Sequence, residues 1–324
     1  MSKLKQAKGL LNLGGPKAIL LKLEDKITKT SKTKEYLYKL QESAETKDYQ
    51  QILENYYLYQ TGEELDLNLP KTFNEKIQWL KLYDSIPEKT RLADKYLVRK
   101  WVKEKIGGQY LIPLLGVWDC FEDIDFNMLP DQFVLKCNHG SGWNLIVKDK
   151  KQLDIADAKR KFDRWMSLNY AFCTGLELHY SDIIPKIIAE KYMTDESGTE
   201  LKDYKIFCFS GEPKIIQVDF NRFHGHKRNL YDTGWRFIDA SIEYPNDMNH
   251  IIPKPAQLNI MLELASRLSE GFSMVRVDFY CIENGIDNHV FFGEMTFTHG
   301  SGMEKFSPQS LALKMGDLIK HDQL

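Results

Sequence analysis

Charged residues at alternate positions inside two apolar stretches near the C-terminal end constrain the fold most strongly. Residues 274–280 place Arg276 and Asp278 between apolar neighbours, and residues 291–298 place Glu294 in a similarly apolar run. A period of two is typical of β-strands whose two faces meet different surroundings. The pattern therefore predicts two strands, each with one apolar face and one polar face.

The chemistry of this polar face allows two interpretations. Asp278, Glu294 and Thr296 offer carboxylate and hydroxyl oxygens, the hard ligands that Mg²⁺ prefers when it also binds nucleotide phosphates. Alternatively, Arg276 forms an ion pair with Asp278 or Glu294, and no metal is needed. Taken alone, the two strands favour the ion pair.

Short β-like runs dominate the chain after Gly107 and predict an α+β fold with an antiparallel sheet. One helical stretch, residues 155–166, interrupts these runs, and Gly211, Glu212 and Pro213 form a hairpin turn between two of them. The predicted strands are residues 133–137, 145–147, 184–192, 204–209, 213–218, 274–280 and 290–297.

The N-terminal third is predicted to be helical. Residues 36–57 have apolar residues at helical spacing, and residues 91–102 suit one further helix. Between them, Thr72 and Glu75 have the spacing of a capping box, which predicts a helix start.

The first 34 residues contain nine lysines but only two acids, Glu24 and Asp25. Such a segment suits a basic surface helix that touches anionic lipid, a membrane-bound partner or a polysaccharide-assembly protein. It also suits a solvated helical extension, and the sequence favours this second interpretation.

Composition excludes several classes of protein. A net charge of −2 and a pI near 6.5 provide no general attraction to nucleic acid, so nucleic acid is not an expected partner. The five cysteines lack zinc-like spacing and indicate reduced thiols. No apolar run approaches the roughly 20 residues that span a bilayer, and the start does not look like a signal peptide. These features predict a cytoplasmic protein, with peripheral contact at the inner face of the membrane as an option.

A lysine followed by a small-residue loop is the first candidate for phosphate binding. Lys136 ends an apolar run, and Gly140, Ser141 and Gly142 follow it. Small residues let backbone N–H groups approach phosphate oxygens. The loop is not a Walker A motif, and an ordinary hairpin turn explains it as well.

Two further segments offer polar groups to a nucleotide. An apolar run ends at Glu190, Lys191 and Tyr192, which suits either a backbone edge that pairs with adenine or a plain edge strand. Asp203 and Lys205 share one face of the next strand, which belongs either to a site or to solvent.

Histidines and a basic loop are candidates for substrate contacts. His299 follows the proposed metal strand and is the histidine we select as a general base or substrate contact, ahead of His139, His224 and His226. The basic loop could meet an acidic sugar or be an ordinary exposed loop. Its residues are Arg222, His224, His226, Lys227 and Arg228.

In combination these segments resemble the ATP-grasp superfamily, and more closely its branch of TupA-like polysaccharide-biosynthesis proteins. The resemblance covers about residues 70–320, and it is the combination of loose motifs that is specific. The motifs are Thr72-Phe73-Asn74-Glu75-Lys76, Asp94-Lys95, Leu135-Lys136, Asn138-His139-Gly140-Ser141-Gly142, Asp203-Tyr204-Lys205, Val275-Arg276-Val277-Asp278 and Gly293-Glu294-Met295-Thr296.

The resemblance implies a role for each site residue. Lys136 and Lys205 would hold ATP phosphates beneath a loop of Gly140, Ser141 and Gly142. Glu190, Lys191 and Tyr192 would line the adenine hinge, and Asp203 would contact the ribose. Asp278 and Glu294 would bind Mg²⁺, and Arg276 would stabilise the transferred phosphoryl group. Thr296 stands where many ATP-grasp enzymes have a metal-binding asparagine, so its role as a third ligand is less secure.

The implied reaction joins a carboxylate to an amine through an acyl phosphate, with a small molecule or saccharide supplying each group. A uronic-acid-containing surface polysaccharide or its precursor is the expected target. Relatives in this branch are often described as glycosyltransferases, but no convincing DxD-type acid pair is present; a nucleotide-binding scaffold is the third option. The resemblance implies a nucleotide held between two antiparallel-sheet subdomains. The expected divisions are a helical extension (1–70), a substrate-side subdomain (71–130), a lid (131–195) and a metal and phosphate subdomain (196–324).

Overall fold

The computed structural model describes residues 2–194, 202–221, 225–283 and 288–320. The chain forms two compact units. The first consists of Met1–Ile86, Asn169–Ser181 and Thr298–Leu324, and the second of Pro87–Leu168 and Asp182–Phe297.

The described residues contain nine α-helices, of which the last two were not predicted from the sequence. In chain order they are α1 (Ser2–Thr28), α2 (Lys32–Glu42), α3 (Tyr49–Thr61), α4 (Phe73–Tyr83), α5 (Pro87–Ala93), α6 (Val98–Lys105), α7 (Ile155–Met166), α8 (Leu258–Ser269) and α9 (Gln309–Leu318).

Seven of the twelve β-strands in the described residues coincide with the predicted runs, and the other five were not predicted. They are β1 (Leu114–Trp118), β2 (Phe133–Cys137), β3 (Asn144–Val147), β4 (Ile187–Lys191), β5 (Asp203–Phe209), β6 (Glu212–Phe220), β7 (Lys227–Asp232), β8 (Phe237–Ile238), β9 (Ser241–Ile242), β10 (Met274–Glu283), β11 (Asn288–Thr296) and β12 (Phe306–Ser307).

The first unit is mainly helical and is organised around α4. Thr72 and Glu75 form the predicted capping box, in which the Thr72 hydroxyl accepts from the Glu75 N–H and the Glu75 carboxylate accepts from the Thr72 N–H. Phe73 and Ile77 are fully buried on this helix. Helix α9 approaches so closely that a Cβ atom on Gly316 would lie 2.1 Å from the Lys71 carbonyl oxygen.

A buried lysine joins α4 to two other segments of this unit. Lys81 Nζ donates to the carbonyl oxygens of Gly175 (2.9 Å) and Ser301 (2.7 Å) and to the Ser301 hydroxyl (2.6 Å). Three acceptors match the three protons of an ammonium group. Burial lowers the pKa of Lys81 to about 8.

The second unit contains two antiparallel sheets. The four-stranded sheet has the order β1-β4-β2-β3, and the six-stranded sheet has the order β11-β10-β5-β6-β7-β8. Helix α7 packs beneath the smaller sheet through Ala158 and Phe162, which join Phe133 and Leu135 in one apolar cluster. Helix α8 packs against β5, β6 and β10 of the larger sheet.

One predicted helix is two helices in the structure. The spacing predicts a continuous helix over residues 91–102, but α5 ends at Ala93 and α6 begins at Val98. The Asp94 carboxylate accepts from the N–H groups of Tyr96 (2.7 Å) and Leu97 (3.1 Å), which turns the chain between the helices. A short acidic side chain that bonds to the backbone two or three residues ahead favours a turn over a continued helix.

None of the helices in the described part of the chain is long and apolar enough to cross a membrane.

Candidate active site

Three charged residues lie side by side across the larger sheet. The antiparallel register pairs Lys205 of β5 with Asp278 of β10, and pairs Asp278 with Glu294 of β11. A bulge at Gly293 makes the second pairing possible. Phe292 pairs with Phe279 and Glu294 pairs with Asp278, so Gly293 has no partner on β10. Directly opposed residues share one face of a sheet, so the three side chains form a single polar row.

Arg276 closes on Asp278 in a bidentate ion pair. Its Nε and Nη2 atoms donate to Asp278 Oδ1 (2.7 Å) and Oδ2 (2.6 Å). Nη2 also donates to Glu294 Oε1 (3.3 Å) and to the Thr296 hydroxyl (3.1 Å). The ion pair that the sequence left open is therefore present. Arg276 contacts all three predicted metal ligands.

Burial strongly affects the pKa values of Arg276 and Asp278. The side chain of Asp278 is only 4% exposed. Burial disfavours the charged guanidinium, but Asp278 and Glu294 outweigh it and hold the pKa of Arg276 above its usual range. Burial also raises the pKa of Asp278, against the opposing effect of Arg276.

Glu294 is the accessible acid of the row. Its side chain is 33% exposed. Lys95 Nζ lies 3.6 Å from Glu294 Oε2. Burial acts to raise the pKa of Glu294, but Lys95 and Arg276 together lower it, so this group is a carboxylate at neutral pH.

Lys205 lies between acids on its own strand and on the next one. Its Nζ contacts Asp203 Oδ2 and lies 3.4 Å from Asp219 Oδ2. Asp219 also accepts from Arg228 Nε at 2.7 Å. Burial would raise the pKa of Asp219, but Arg228 and Lys205 outweigh it and hold the pKa well below its usual range.

The smaller sheet contributes a second charged group. Lys136 Nζ donates to Glu190 Oε2 at 2.7 Å, and Arg99 Nη1 donates to Glu190 Oε1 at 3.0 Å. Glu190 is thus held from both sides at the end of β4. The backbone N–H of Lys191 donates to the Pro113 carbonyl at 3.0 Å, so the predicted adenine hinge begins in a paired strand.

The loop of Gly140, Ser141 and Gly142 is the turn of the β2–β3 hairpin. Gly142 has a φ of +74°, a backbone conformation that favours glycine, and a Cβ atom there would meet nothing within 4 Å. Lys95 Nζ donates to the Gly140 carbonyl at 2.7 Å and so joins this loop to Glu294. The hairpin interpretation is correct, and the turn also lines a pocket.

Two pockets meet at Lys136. The smaller one, of about 150 Å³, is lined by Lys95, Lys136, Ser141, Gly142, Trp143, Asn144, Asp203, Asp278, Tyr280, Gly293 and Glu294. The larger one, of about 870 Å³, is lined by Glu190, Lys191 and Tyr192 along with residues of β3 and α7. Lys136, Asn144 and Tyr280 line both. The second unit thus brings predicted phosphate, metal and hinge residues around two pockets that share three lining residues.

His299 is not part of this set. It belongs to the first unit, is buried, and its Nε2 atom lies 2.8 Å from Glu304 Oε2. Its role as a base stays a prediction.

The basic loop is partly internal. Arg228 is buried on Asp219, and His226 Nε2 lies 2.9 Å from the same carboxylate. Arg222 and His224 lie outside the described residues.

Three residues of the site were not selected from the sequence. Lys95 lies in the Asp94-Lys95 motif that supported the family resemblance, so the sequence contained a reason to select it. Tyr280 shares the polar face of β10 with Asp278, and alternation alone could have included it. Arg99 supports Glu190 from α6, and no local pattern points to that contact.

The row offers Mg²⁺ suitable oxygen ligands, but only two of its residues are acids. Among the residues that the structure describes, no three His, Cys, Asp or Glu side chains are arranged to hold a metal ion. Mg²⁺ at nucleotide sites usually takes only one or two carboxylates, with phosphates and water completing its shell. Each carboxylate oxygen has two lone pairs, so Asp278 can keep Arg276 and still offer an oxygen.

The sequence model described as TupA-like ATPgrasp matches residues 75–320. No curated protein matches the chain in sequence.

Several solved structures resemble the chain in part. One is D-alanine–D-alanine ligase from Bacillus anthracis complexed with ATP (16% identity, TM-score 0.38, covering 64% of this chain and 54% of that one). Another is N5-carboxyaminoimidazole synthetase from Staphylococcus aureus complexed with ADP (14%, 0.39, 64% and 44%). A third is biotin carboxylase from Campylobacter jejuni in complex with β-γ-ATP (14%, 0.42, 77% and 47%). The matched part is about half the length of these proteins.

Proposed function

The chain belongs to the TupA-like ATP-grasp family, and from this premise we propose that it is an ATP-dependent ligase. It activates a carboxylate as an acyl phosphate and joins it to an amine. The observation that carries the proposal is the row of Lys205, Asp278 and Glu294 on the larger sheet. Asp278 and Glu294 line a pocket that Lys136 of the smaller sheet also lines.

Each sheet has its own task in this proposal. Glu190, Lys191 and Tyr192 line the larger pocket, which accepts the adenine, and Asp203 contacts the ribose. Lys136 and Lys205 bind the phosphates, and Ser141 and Gly142 cover them from the hairpin turn. Opposite charges held at fixed positions in a largely buried site stabilise a transferred phosphoryl group without rearrangement.

Asp278 and Glu294 are the residues that would hold Mg²⁺, with the Thr296 hydroxyl beside them. When bound, the ion neutralises phosphate charge and orients the terminal phosphate for attack. Arg276 opposes the effect of burial, which raises the pKa of Asp278, and its Nη2 atom also donates to Glu294 and Thr296. The incoming carboxylate oxygen attacks the γ-phosphorus, ADP leaves, and the amine then displaces phosphate from the acyl carbon.

The substrates follow from the family alone. We propose a uronic acid or amino-acid carboxylate and an amine, one of them part of a surface polysaccharide or its precursor. We also propose His299 as a general base or substrate contact, because it follows the metal strand in the sequence.

One observation favours a second function, that of a nucleotide-binding scaffold without turnover. Both oxygens of Asp278 are already engaged by Arg276, and Thr296 donates to Glu294 Oε1 at 3.3 Å. A metal ion would compete with this internal pairing, which weakens its binding.

Ligand-induced stabilisation tests the proposal. ATP with Mg²⁺ at about 100 times its Kd should raise the free energy of unfolding by about 2.7 kcal/mol, whereas a UDP-sugar should not. Lys136→Met should remove the effect and still fold, because Arg99 continues to pair with Glu190. Lys214→Met, an exposed lysine paired with Glu212, is the matched control.

Substrate-dependent release of ADP then separates the ligase from the scaffold. A scaffold binds ATP but releases no ADP with any carboxylate and amine. If a UDP-sugar alone stabilises the protein, a glycosyltransferase replaces both proposals.

A further inference from the structure

An exposed apolar row runs along the second half of α1, outside the region that matches the family. Leu20, Leu23 and Ile27 are 67%, 52% and 83% exposed. Their spacing of three and four residues places them on one face of the helix. Large aliphatic side chains exposed singly are common, but three in a row on one helix face indicate a surface that is covered in some other state.

The opposite face of α1 already has partners. Ala18 is fully buried, and with Leu10 it packs against Leu37 of α2 and Tyr56 of α3. The helix therefore has two apolar faces, of which the fold covers one. The exposed row of Leu20, Leu23 and Ile27 contributes nothing to that packing.

Uncompensated positive charge borders the exposed row. Ideal helical geometry puts Lys17, whose Nζ lies 4.7 Å from the centre of the Tyr36 ring, on one side of the row and Lys26 on the other. Lys29 follows directly after the helix. Within the described residues no acidic group lies within salt-bridge distance of Lys26 or Lys29.

The two acids of this segment, Glu24 and Asp25, already have partners. Asp25 accepts from the backbone N–H groups of Lys32 (2.8 Å) and Thr33 (2.9 Å), so it fixes the start of α2. Glu24 pairs with Lys32. The surface around the row is consequently cationic, although the whole chain carries a net charge of −2.

We propose that this face of α1 docks on an anionic lipid bilayer, with Leu20, Leu23 and Ile27 inserted at the headgroup boundary. An apolar row with lysines on both sides matches a surface that is apolar below and negatively charged above, because lysine stems extend along the apolar layer and place their ammonium groups among the headgroups. A second copy of this chain would present the same positive charge and would be repelled.

Vesicle sedimentation with the full-length protein tests this proposal. The protein should bind vesicles made of equal amounts of phosphatidylcholine and phosphatidylglycerol, and should bind phosphatidylcholine vesicles far less. Ile27→Ser should weaken binding about tenfold, and the triple variant Leu20→Ser, Leu23→Ser, Ile27→Ser should abolish it. Leu69→Ser, which changes a residue 62% exposed in the same unit, should bind as the wild type does.

A charge series tests the electrostatic part. Lys26→Gln and Lys29→Gln should each weaken binding about fivefold, and added salt should have the same effect. Lys39→Gln and Lys47→Gln are the matched controls on exposed lysines elsewhere in the unit, and should bind normally.

Three results would overturn the proposal. One is a wild-type protein that does not bind the anionic vesicles. Another is a triple variant that binds them undiminished while melting at the same temperature as the wild type. The third is gel filtration without vesicles that shows a dimer which the triple variant loses, since a second copy would then cover the row.

Discussion

Replacing the two acids of the polar row, one at a time, should produce two different kinds of defect. Asp278→Asn should destabilise the protein as well as inactivate it, because the change leaves the buried guanidinium of Arg276 without its bidentate partner. Glu294→Gln should leave a stable protein that releases no ADP from ATP with its proper substrates. Both changes keep the shape of the side chain and remove its charge.

The magnitudes follow from exposure and geometry. Arg276 and Asp278 are 8% and 4% exposed, and removing one partner of a buried pair typically costs about 3–5 kcal/mol. Glu294 is 33% exposed and lies 3.3 Å from Arg276, so its loss should cost about 1 kcal/mol or less. The two variants should therefore differ in unfolding free energy by at least about 2 kcal/mol.

Denaturant unfolding and ADP release, measured on the same preparations, check this. Asp232→Asn is the control for stability, because it unpairs Arg236, whose side chain is 87% exposed, and should cost little. An Asp278→Asn variant as stable as the wild type would refute the energetic argument. Full activity in a folded Glu294→Gln variant would refute the role of Glu294 as a metal ligand.

Three further predictions concern the first unit. The pKa of Lys81 is about 8 in the folded protein, below its value in the unfolded chain, so the unfolded state binds more protons between these two values. The free energy of unfolding should therefore rise by about 3 kcal/mol between pH 8 and 10.5. Lys81→Met should lack this rise in parallel denaturant titrations. Gly316→Ala should cost more than about 2 kcal/mol, measured by thermal unfolding, because its methyl group would collide with the Lys71 carbonyl; an unchanged melting temperature would contradict this contact. Thr72→Ala should cost about 1 kcal/mol through loss of the capping box, and Thr72→Ser should restore most of it.

Local patterns in the sequence predict the α+β class, seven of the strands and several of the helices, and the resemblance of the combined motifs predicts the ATP-grasp fold. Helix α7 spans the predicted residues 155–166, and β2 spans the predicted residues 133–137. The ATP-grasp fold expected from the combined motifs is confirmed by the family match. Strand β7 was missed because its first residues, Lys227 and Arg228, look like part of an exposed basic loop. The charge of Arg228 is tolerated in a buried strand because Asp219 faces it from β6.

Residues near in sequence decide periodicity, capping and turns, because those depend on backbone geometry and on contacts a few residues away. Alternation in the sequence is therefore sufficient to put Arg276 and Asp278 on one face of a strand. Alternation does not say which strand lies alongside. The pairing of Lys205 with Asp278, and of Asp278 with Glu294, depends on the sheet order and on the bulge at Gly293. Only the tertiary structure determines these, since hydrogen bonds between strands join residues that are distant in the chain.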